Sequence, residues 1–569
     1  MKTLEEASST SSSSPSDRRH IRPDVTLRAV RQWARERRIG RARLTHAYQA
    51  AFLVAVSRLL QAIFRERHAP HARLWRSDAR QWFLDLGREP MLRAPVSGPL
   101  PFRRLELTGF PWKIVAGRRR LLRSTPAFLN ALRPCVGPSQ LAQHFDRLIA
   151  DFDNSFANLV MNRLIGERLD AGAQAIEPVY EGHHYYPFPA LRLGPSLRQV
   201  VECSNLCREP IDLTLVAARP CLFDSTVYAD HRTCFRAWAG IPLPRNADVV
   251  IPLHPWQLEL SPVVRELLKR RWIAVLDRRI KAVPLASQRT CRILRSGFDV
   301  KLPIAVTLTG EDRLLYPLNR ANATAFSSLA RILLRASGES TLDFQYDVAS
   351  IAHAESLIGT HLAVIVRAPV RSRGAEIVVP ALNLWCGPRW ARTMLDLRRR
   401  EHAYAFFRVY CRVLMRGMVD FYARGMAFEP HLQNVYVALR DGMPSRMILR
   451  DLDSTILDPL RIRPVARANG VRFALGTWKH MPGFATGGRR LVHAMMYGHL
   501  GQVMSYLARA AQADLAKLSA AVEETWDELI AQAPSAACRG PVRDLRKQAD
   551  TVGAVLWRRI TRADHTAFR

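Results

Sequence analysis

The spacing of apolar residues changes twice along this 569-residue chain, and no other sequence feature constrains the fold as strongly. From about 23 to 165, in stretches such as "THAYQAAFLVAVSRLLQAIFRER", apolar residues recur every three or four positions, as on one face of a helix. From about 166 to 370, short β-like runs such as "HLAVIVRAPV" alternate with proline and glycine. From about 399 the helical spacing returns. A chain of this length is too long to fold around a single hydrophobic core, so we expect a multidomain α+β protein.

Four regions follow from this pattern. We predict a disordered Ser-rich tail at 1–22, a helical domain at 23–165 that contains a small sheet or extended insertion, a β-rich domain at 166–370, and a mostly helical domain at 371–569. The tail lacks the apolar segment of a signal peptide, and the longest apolar runs are shorter than the ~20 residues that span a bilayer. Nine cysteines without a CxxC pair indicate a reduced compartment. We therefore expect a cytoplasmic protein with no membrane partner.

The formal net charge of +34 raises nucleic acid as a partner. Only eight of the 84 basic residues are lysines, and the arginines are spread through every region instead of forming one basic arm. This distribution favours a general bias towards arginine over a nucleic-acid-binding surface. Single-strand binders also interleave aromatic residues with the basic ones, and no segment shows this clearly. We predict no nucleic-acid partner, and the sequence leaves a homodimer open.

A polar segment near residue 430 predicts a metal site. The β-like runs "VYVAL" at 435–439 and "RMILR" at 446–450 flank an Asp-Gly turn signal and predict a hairpin. Asn434 precedes the first strand and Asp451 follows the second, so the two side chains should meet. Their oxygens suit Mg²⁺, which takes one or two protein carboxylates together with nucleotide phosphates. The residues expected to face the same mouth are His431 and Gln433. The alternative is a polar loop that satisfies its own backbone.

A second polar set lies in "PLASQRTCRILRSGFDVKLPIAVTLTGEDR" at 284–313. Two strands are predicted to flank a turn at "RSGF", and a second strand continuing as far as Thr309 would place Lys301 and Thr309 on one face, with apolar residues on the other. The donors that this face would offer to anionic oxygens are Ser287, Arg289, Thr290, Lys301 and Arg313. The alternative is a solvated strand face.

Two further segments are weaker signals. "LHPWQ" at 253–257 follows a strand, and "EGHHYYPFPALRLG" at 181–194 holds His183, Tyr186 and Arg192. A lone histidine in such a segment is more often structural than catalytic. The sequence has no GxxxxGK[ST] loop, no GxGxxG turn before a helix and no GxSxG elbow. A nucleotide would therefore be bound by side chains of a sheet, with a metal at the hairpin.

Four motifs, in this order and spacing, resemble the siderophore synthetases that work independently of nonribosomal peptide synthetases, the aerobactin synthetase-like IucA/IucC family. The run at 182–194 resembles the family's G-H-P-x-H-P-x-x-K-x-R-x-G signature, and H-P-W-Q occurs at 254–257. S-x-R-T occurs at 287–290 and E-x-H-x-Q-N at 429–434. The resemblance covers roughly 180 to 460.

The resemblance implies a cupped, hand-like fold in which 23–165 is the thumb, 166–370 the fingers and 371–569 the palm. It also implies an ATP- and Mg²⁺-dependent ligase that adenylates a carboxylate, commonly one arm of citrate, and releases pyrophosphate. An amine or hydroxyl group then attacks to form an amide or ester. The expected partners are therefore a small-molecule carboxylate and an amine or alcohol.

Site roles are implied by matching positions. Those that match triphosphate-binding positions are Ser287, Arg289, Thr290 and Lys301, and those around the carboxylate are Thr309, Arg313 and His431. The predicted catalytic residues are Arg289, Lys301, Arg313 and His431. His183, Gln433 and Asp451 match the nucleotide side, and Glu429, Asn434 and Asp451 the metal side.

The chain also departs from the family pattern. Where the family run has Pro, His and Lys, this chain has His184, Tyr186 and Ala190, and no glycine follows Asp451 in the next turn. These departures leave open a degenerate binding protein without ligase activity. A phosphotransferase is a further alternative, because an Asn and an Asp about a hairpin apart also occur in kinases.

Overall fold

The computed structural model describes residues 25–79, 81–87, 92–98, 102, 104–136, 143–166, 177, 181–207, 209–218, 223–227, 231–243, 249–386, 395, 399–532 and 536–548. The tail predicted at 1–22 lies outside these residues. Three large apolar cores organise the described chain: one in the N-terminal region, one on the largest sheet and one in the C-terminal region. The mixture of helices and mostly antiparallel sheets confirms the predicted multidomain α+β class.

Four helices and a five-stranded sheet build the N-terminal region. They are α1 (Leu27–Glu36), α2 (Arg41–Arg65), β1 (Arg73–Arg76), β2 (Trp82–Leu86), β3 (Leu92–Val96), β4 (Trp112–Val115), β5 (Arg118–Leu121), α3 (Thr125–Leu132) and α4 (Phe145–Gly166), with a 3₁₀ turn at Arg133–Cys135. The sheet has the order β1-β2-β3-β4-β5 and begins earlier in the chain than the insertion that the sequence predicted.

Helix α2 bears on the expectation that the protein has no membrane partner. It is the one described helix that is long and apolar enough to cross a bilayer, although its longest apolar run is short. Most of its apolar part is buried inside the protein, where Phe52 packs edge-on against Phe156 of α4 with ring centroids 6.2 Å apart. Burial against other protein elements is how the core helix of a domain behaves.

An antiparallel sheet of eight strands dominates the middle region. The elements are β6 (Arg192–Leu193), α5 (Leu197–Cys203), β7 (Ile211–Ala218), β8 (Phe223–Val227), α6 (His231–Ala239), β9 (Val249–Leu253), α7 (Pro255–Leu260), α8 (Pro262–Lys269), β10 (Ile273–Pro284), β11 (Thr290–Ile293), β12 (Asp299–Lys301), β13 (Thr307–Leu308), β14 (Glu311–Asp312), α9 (Pro317–Ser337), β15 (Leu342–Phe344), β16 (Asp347–His353), α10 (Ser356–His361) and β17 (Ala363–Arg367). The strands of the eight-stranded sheet lie in the order β8-β16-β17-β12-β11-β10-β7-β9.

The long helix α9 interrupts this otherwise β-rich region. Pro317 occupies its first turn, where a missing N–H is tolerated, and Gly338 ends it in the left-handed conformation with φ 64°. Between these ends, buried apolar residues recur at helical spacing, among them Phe326, Leu329 and Leu333. The prediction of short strands throughout the region overlooked this helical period.

The C-terminal region combines helices with a four-stranded sheet. Its elements are β18 (Ile377–Pro380), α11 (Ala381–Cys386), α12 (Arg400–Ala423), β19 (Met426–Ala427), β20 (Val435–Arg440), β21 (Met443–Leu449), β22 (Ile456–Leu457), α13 (Pro459–Ala468), α14 (Thr477–His480), α15 (Phe484–Val492), a π-helix (His493–Leu500), α16 (Gly501–Ala510), α17 (Leu515–Ala531) and α18 (Ala536–Lys547), with 3₁₀ turns at Leu432–Asn434 and Leu452–Ser454. Strand β15, which precedes the proposed boundary at 370, pairs in parallel with β21. The region boundaries drawn from the sequence stay a prediction.

Candidate functional site

A polar cleft lies where the eight-stranded sheet, the loop before β6 and the β20–β21 hairpin converge. It encloses about 290 Å³. Among the residues that line it are His183, His184, Ala190, Arg192, Ser287, Arg289, Lys301, Thr309, Glu311, Arg313, Glu429, His431, Gln433, Asn434, Asp451 and Asp453. Cations and carboxylates from segments far apart in sequence therefore share one cavity.

The hairpin forms as the sequence predicted, although its strands are longer. Asp441 and Gly442 both have positive φ, 52° and 75°, as a two-residue type I′ turn requires. The register pairs Val435 with Leu449, and the Arg450 N–H donates to the Asn434 carbonyl at 2.9 Å. Asn434 and Asp451 consequently both reach the cleft.

The Asp451 carboxylate is held by two buried cations. Its Oδ1 accepts from Lys301 Nζ at 2.5 Å and from an Arg367 guanidinium nitrogen at 2.6 Å. Burial alone would raise the Asp451 pKa, but Arg367 and Lys301 hold it well below its usual range. Asp451 also has a left-handed backbone, φ 68°, which turns the chain sharply after β21. The sequence analysis did not identify Arg367 because it ends a strand, β17, that reads only as core.

Lys301 is nearly fully buried and also contacts Asp453, with Nζ 2.7 Å from Oδ2. The predicted strand from Lys301 to Thr309 is wrong. Strand β12 ends at Lys301, and the chain passes through a loop before β13, which pairs with β6 in another sheet. Lys301 and Thr309 share the cleft because the chain turns back, not because they share a strand face.

The segment at 287–290 forms a turn before β11. Ser287 Oγ accepts from the Thr290 N–H at 3.1 Å, and Ser287 and Arg289 line the cleft. Arg289 donates to the Leu314 carbonyl at 2.7 Å, and burial followed by the charge of Arg313 lowers its pKa. Thr290 is 4% exposed and is not among the residues lining the cleft, so its part there is to fix the turn through its backbone.

Thr309 and Arg313 lie together on the cleft wall. Thr309 has φ 49°, and its hydroxyl donates to the Leu308 carbonyl at 2.7 Å while accepting from the Arg313 guanidinium. Arg313 also lies 3.7 Å from Glu311 Oε2. A guanidinium held by a neighbouring hydroxyl in a cleft is suited to a carboxylate ligand.

Three histidines form another part of the wall. The His183 and His184 rings stack with centroids 4.8 Å apart, and the His431 ring centroid lies 5.7 Å from that of His183. Burial lowers the pKa of His431 to about 4, and burial followed by neighbouring histidines and arginines lowers those of His183 and His184 well below 6.5. The rings are therefore neutral at pH 7. His184 Nε2 and His431 Nδ1 are buried without a hydrogen-bond partner in the described structure.

The His183 loop depends on Gly182. Its φ is 66°, and a Cβ at this position would lie 2.2 Å from the Pro189 carbonyl oxygen. The same loop is anchored to α4 by an asparagine row. Arg192 donates to Asn158 Oδ1 at 3.1 Å and to Asn162 Oδ1 at 3.0 Å, and its backbone N–H donates to Asn154 Oδ1 at 2.9 Å. In the sequence, the recurrence of asparagine every four residues along an apolar helix could have indicated this anchor.

The predicted metal ligands lie together but form no closed cage. Asn434 uses its amide nitrogen to donate to the Glu429 carbonyl at 3.1 Å, which leaves the amide oxygen to offer a ligand. Burial raises the pKa of Glu429, and an Arg490 guanidinium nitrogen 3.7 Å from Glu429 Oε1 partly offsets this rise. Within the described residues, no group of three His, Cys, Asp or Glu converges as a metal site. The donor set fits Mg²⁺ held by few protein oxygens together with phosphates.

Two buried networks support the hairpin, and the sequence analysis missed both. His499 on the π-helix lies with Nδ1 2.8 Å from the Pro430 carbonyl and Nε2 2.6 Å from the Tyr410 hydroxyl, which fixes the turn before His431. Arg450 makes a two-point ion pair with Glu177 at 2.7 and 2.8 Å. Gln433, which lines the cleft, accepts a hydrogen bond from Arg450 through its backbone carbonyl.

The remaining motif positions have structural roles. His254 begins α7, accepts from the Trp256 N–H at 3.1 Å and does not line the cleft. Tyr186 packs against two of the apolar cores, and Ala190 lies on the cleft wall. At Ala190 the cleft therefore lacks the cation that the family run would supply.

Two parts of the chain match known families. Residues 173–384 match the IucA/IucC family, and residues 404–566 match the family described as ferric iron reductase FhuF-like transporter. No curated protein matches the chain.

Solved structures share the fold at low sequence identity. The petrobactin biosynthesis protein AsbB from Bacillus anthracis str. Sterne is 17% identical with a TM-score of 0.75, over 92% of this chain and 94% of that one. ATP-bound aerobactin synthetase IucA from a hypervirulent Klebsiella pneumoniae pathotype is 15% identical with a TM-score of 0.70, over 86% and 93%. Aerobactin synthetase IucC from the same source is 16% identical with a TM-score of 0.64, over 88% and 94%.

Proposed function

We propose that the protein is an ATP-dependent siderophore synthetase, a proposal that the match of residues 173–384 to the IucA/IucC family supports. It would adenylate a carboxylate, citrate or a citrate derivative, and condense it with an amine or a hydroxyl group. The products would be an amide or ester, AMP and pyrophosphate. Cytoplasmic location and a homodimer remain expectations alongside this proposal.

The observation that carries the proposal is the pairing of Lys301, on the eight-stranded sheet, with Asp451 and Asp453, which follow the β20–β21 hairpin, at the floor of the cleft. The cations Lys301, Arg289 and Arg313 line the same cleft as several carboxylates and Asn434. Such a cleft offers cations to an anionic phosphate chain and oxygen ligands to its counter-cation. The similarly folded aerobactin synthetase IucA is described as ATP-bound, which supports ATP as the nucleotide.

Each side chain has a role in the proposed reaction. Arg289 and Lys301 would bind the phosphates and stabilise the negative charge that develops as a substrate carboxylate oxygen attacks the α-phosphorus and pyrophosphate leaves. Thr309, Arg313 and neutral His431 would orient that carboxylate. Glu429, Asn434 and Asp451 would hold Mg²⁺, which neutralises phosphate charge when bound. His183 and Gln433 would contact the nucleotide, and Ser287 the phosphates.

The match at 404–566 does not by itself favour a redox function. This stretch contains two cysteines, Cys411 and Cys538, fewer than the four that hold an iron–sulfur cluster. Cys411 is buried, and burial raises its pKa well above the usual value. The stretch instead contributes α12, the hairpin and the helices behind it.

Pyrophosphate release with hydroxylamine trapping tests the function. Purified protein is incubated with MgATP and citrate, succinate or 2-oxoglutarate, with and without a panel of polyamines. We expect pyrophosphate and an acid-dependent hydroxamate, which Lys301→Met abolishes and exposed Arg408→Gln leaves intact. ADP as the product would support the phosphotransferase alternative. Absence of both products in folded protein would support a degenerate binding protein, and salt-resistant nanomolar DNA binding would support the nucleic-acid alternative.

A further inference from the structure

A second cavity lies behind the cleft, between α2, α4 and α16. We call it the rear cavity, and it encloses about 530 Å³. The residues that line it are Leu53, Val54, Ser57, Arg58, Glu106, Leu107, Arg163, Glu181, Trp385, Gln502, Tyr506, Arg509 and Ala510. None of them is among the residues that line the cleft.

Two short segments separate the rear cavity from the cleft. Glu181 lines the rear cavity, whereas the next two residues, Gly182 and His183, line the cleft. In α11, Trp385 lines the rear cavity and Leu382 lines the cleft. A ligand in the rear cavity would therefore lie against the other side of the loop that carries the cleft histidines.

Among the described residues that line the rear cavity, positive charge exceeds negative charge. Arg58 from α2, Arg163 from α4 and Arg509 from α16 converge there, against two carboxylates. Arg163 lies 2.9 Å from Glu181, and Arg509 pairs with Glu106. Arg58, the third arginine of this wall, is 5% exposed as a whole residue. Leucine, valine and aromatic side chains make up much of the remaining lining.

The arginines in this wall act on one another and on the cleft. Loss of solvent and the charge of Arg58 lower the pKa of Arg509, whose side chain is about half exposed at the cavity mouth. After burial and other neighbouring groups, chiefly the other cleft histidines, Arg58 also lowers the pKa values of His183 and His184. Like charges held close together at reduced solvation are stabilised when an anion binds between them.

The interior face of α2 extends this positive region. Gln61 and Arg65 follow Arg58 at spacings of three and four and are almost fully buried. The Arg65 guanidinium lies over the Tyr185 ring at 3.9 Å, and its three nitrogens have no hydrogen-bond partner in the described structure. Tyr185 directly follows the cleft histidines, so the cationic face of α2 runs from the rear cavity to the back of the cleft wall.

We propose that the rear cavity binds a small organic anion, a di- or tricarboxylate, between Arg58 and Arg509. The guanidinium groups would bind carboxylates, and the apolar lining would contact the carbon skeleton, which inorganic phosphate lacks. This binding requires neither ATP nor the proposed ligase reaction.

Calorimetric titration of the full-length protein with citrate, succinate and inorganic phosphate, without ATP and at 150 mM salt, tests the proposal. The variants are Arg58→Gln, Arg509→Gln and Ala510→Trp, the last of which obstructs the cavity mouth without changing charge. Arg313→Gln removes a cation from the cleft instead, and Arg408→Gln removes an exposed arginine elsewhere. Because Arg58 is buried, Arg509→Gln and Ala510→Trp keep the test valid if Arg58→Gln does not fold.

We expect binding of at least one of the two acids to persist in Arg313→Gln and Arg408→Gln. It should weaken about tenfold or more in Arg509→Gln and Ala510→Trp, as the loss of a charge-assisted contact implies. Failure of both acids to bind the wild type would overturn the proposal. So would binding that is lost in Arg313→Gln and unchanged in Arg509→Gln, or equally strong binding of inorganic phosphate.

Discussion

Lys301 and Asp451 are 150 residues apart in sequence, and Lys301 Nζ lies 2.5 Å from Asp451 Oδ1. Lys301 ends β12 in the eight-stranded sheet, and Asp451 follows β21 in the four-stranded sheet. The ion pair therefore joins the two sheets at the floor of the cleft. Because both groups are largely withdrawn from water, a change in either should be felt by the other and by any phosphate bound in the cleft beside them.

Asp451→Asn should weaken the use of MgATP. The substitution keeps the shape of the side chain but removes the negative charge that faces Lys301 and would ligate Mg²⁺. We expect the KM for MgATP to rise about 10- to 150-fold, as for a lost charge-assisted contact of roughly 1.5–3 kcal/mol, and to fall again as Mg²⁺ is raised. Initial rates over a grid of ATP and Mg²⁺ measure this, with Asp441→Asn at the hairpin turn as the matched control. A KM that does not respond to Mg²⁺ would contradict the metal role.

His431→Ala should act on the acid substrate instead. The neutral ring lines the cleft near Arg313, and its removal takes away one contact to the carboxylate. We expect a higher KM for the acid or a lower kcat, with the dependence on MgATP little changed. The same rate grid, extended along the acid concentration, separates this variant from Asp451→Asn. Equal losses along all three axes, at an unchanged melting temperature, would mean that the roles are wrongly divided.

Arg367→Met should move the acid limb of the pH–rate profile. Arg367 links Asp451 to buried Asp347, whose Oδ1 lies 2.8 Å from Arg367 Nε. Burial alone raises the Asp451 pKa, and Arg367 is the first of the cations that hold it low. Without this guanidinium the Asp451 pKa should rise, so activity should fall at a higher pH than in wild type.

Arg367→Lys provides the comparison for this variant, because it restores a charge without the two-sided geometry. We expect it to recover part of the shift in the pH profile. A uniform loss of rate at every pH in Arg367→Met would indicate a structural role only. Breaking a buried ion pair typically destabilises a protein by about 3–5 kcal/mol, so thermal melting of both variants must accompany the rates.

The sequence allowed local features of the site to be predicted, but not the contacts between distant segments. The hairpin could be predicted because Asp441 and Gly442 select its turn, and the turn fixes the register that brings Asn434 and Asp451 to the cleft. Lys301 was identified for its charge, whereas its strand was extended too far because an alternating pattern continues through a loop. An alternation of apolar and polar residues indicates which side chains are buried, not which backbone is hydrogen-bonded in a sheet. A loop packed between two sheets can show the same alternation of buried residues.

Residues that act through distant partners gave no usable signal. Glu177 is one acidic residue in a segment with no clear period, yet its two-point pair with Arg450 fixes the end of the hairpin. Arg367 lies at the end of a core strand, and His499 lies within an apolar helix. In such places a single charged residue carries no mark of its partner, because the partner is chosen by tertiary packing.

His499→Gln should weaken the dependence of stability on pH between 7.5 and 5.5. The buried ring lies between Tyr410 and the Pro430 carbonyl, and burial lowers its pKa to about 3. In the unfolded chain a histidine takes up a proton near pH 6.5. Its folded pKa is depressed, so the folded state binds fewer protons, and stability present above pH 6.5 is lost as the pH falls towards 3. Between pH 7.5 and 5.5 one such histidine accounts for a loss of about 1.4 kcal/mol.

Glutamine can replace both hydrogen bonds but does not titrate. The free energy of unfolding of His499→Gln should therefore fall less than that of wild type over this range, even if it is lower at pH 7.5. Urea unfolding at pH 5.5, 6.5 and 7.5 measures the slope, with exposed His480→Gln as the matched control. A slope in His499→Gln equal to that of wild type would show that this histidine does not contribute to the acid sensitivity of the fold.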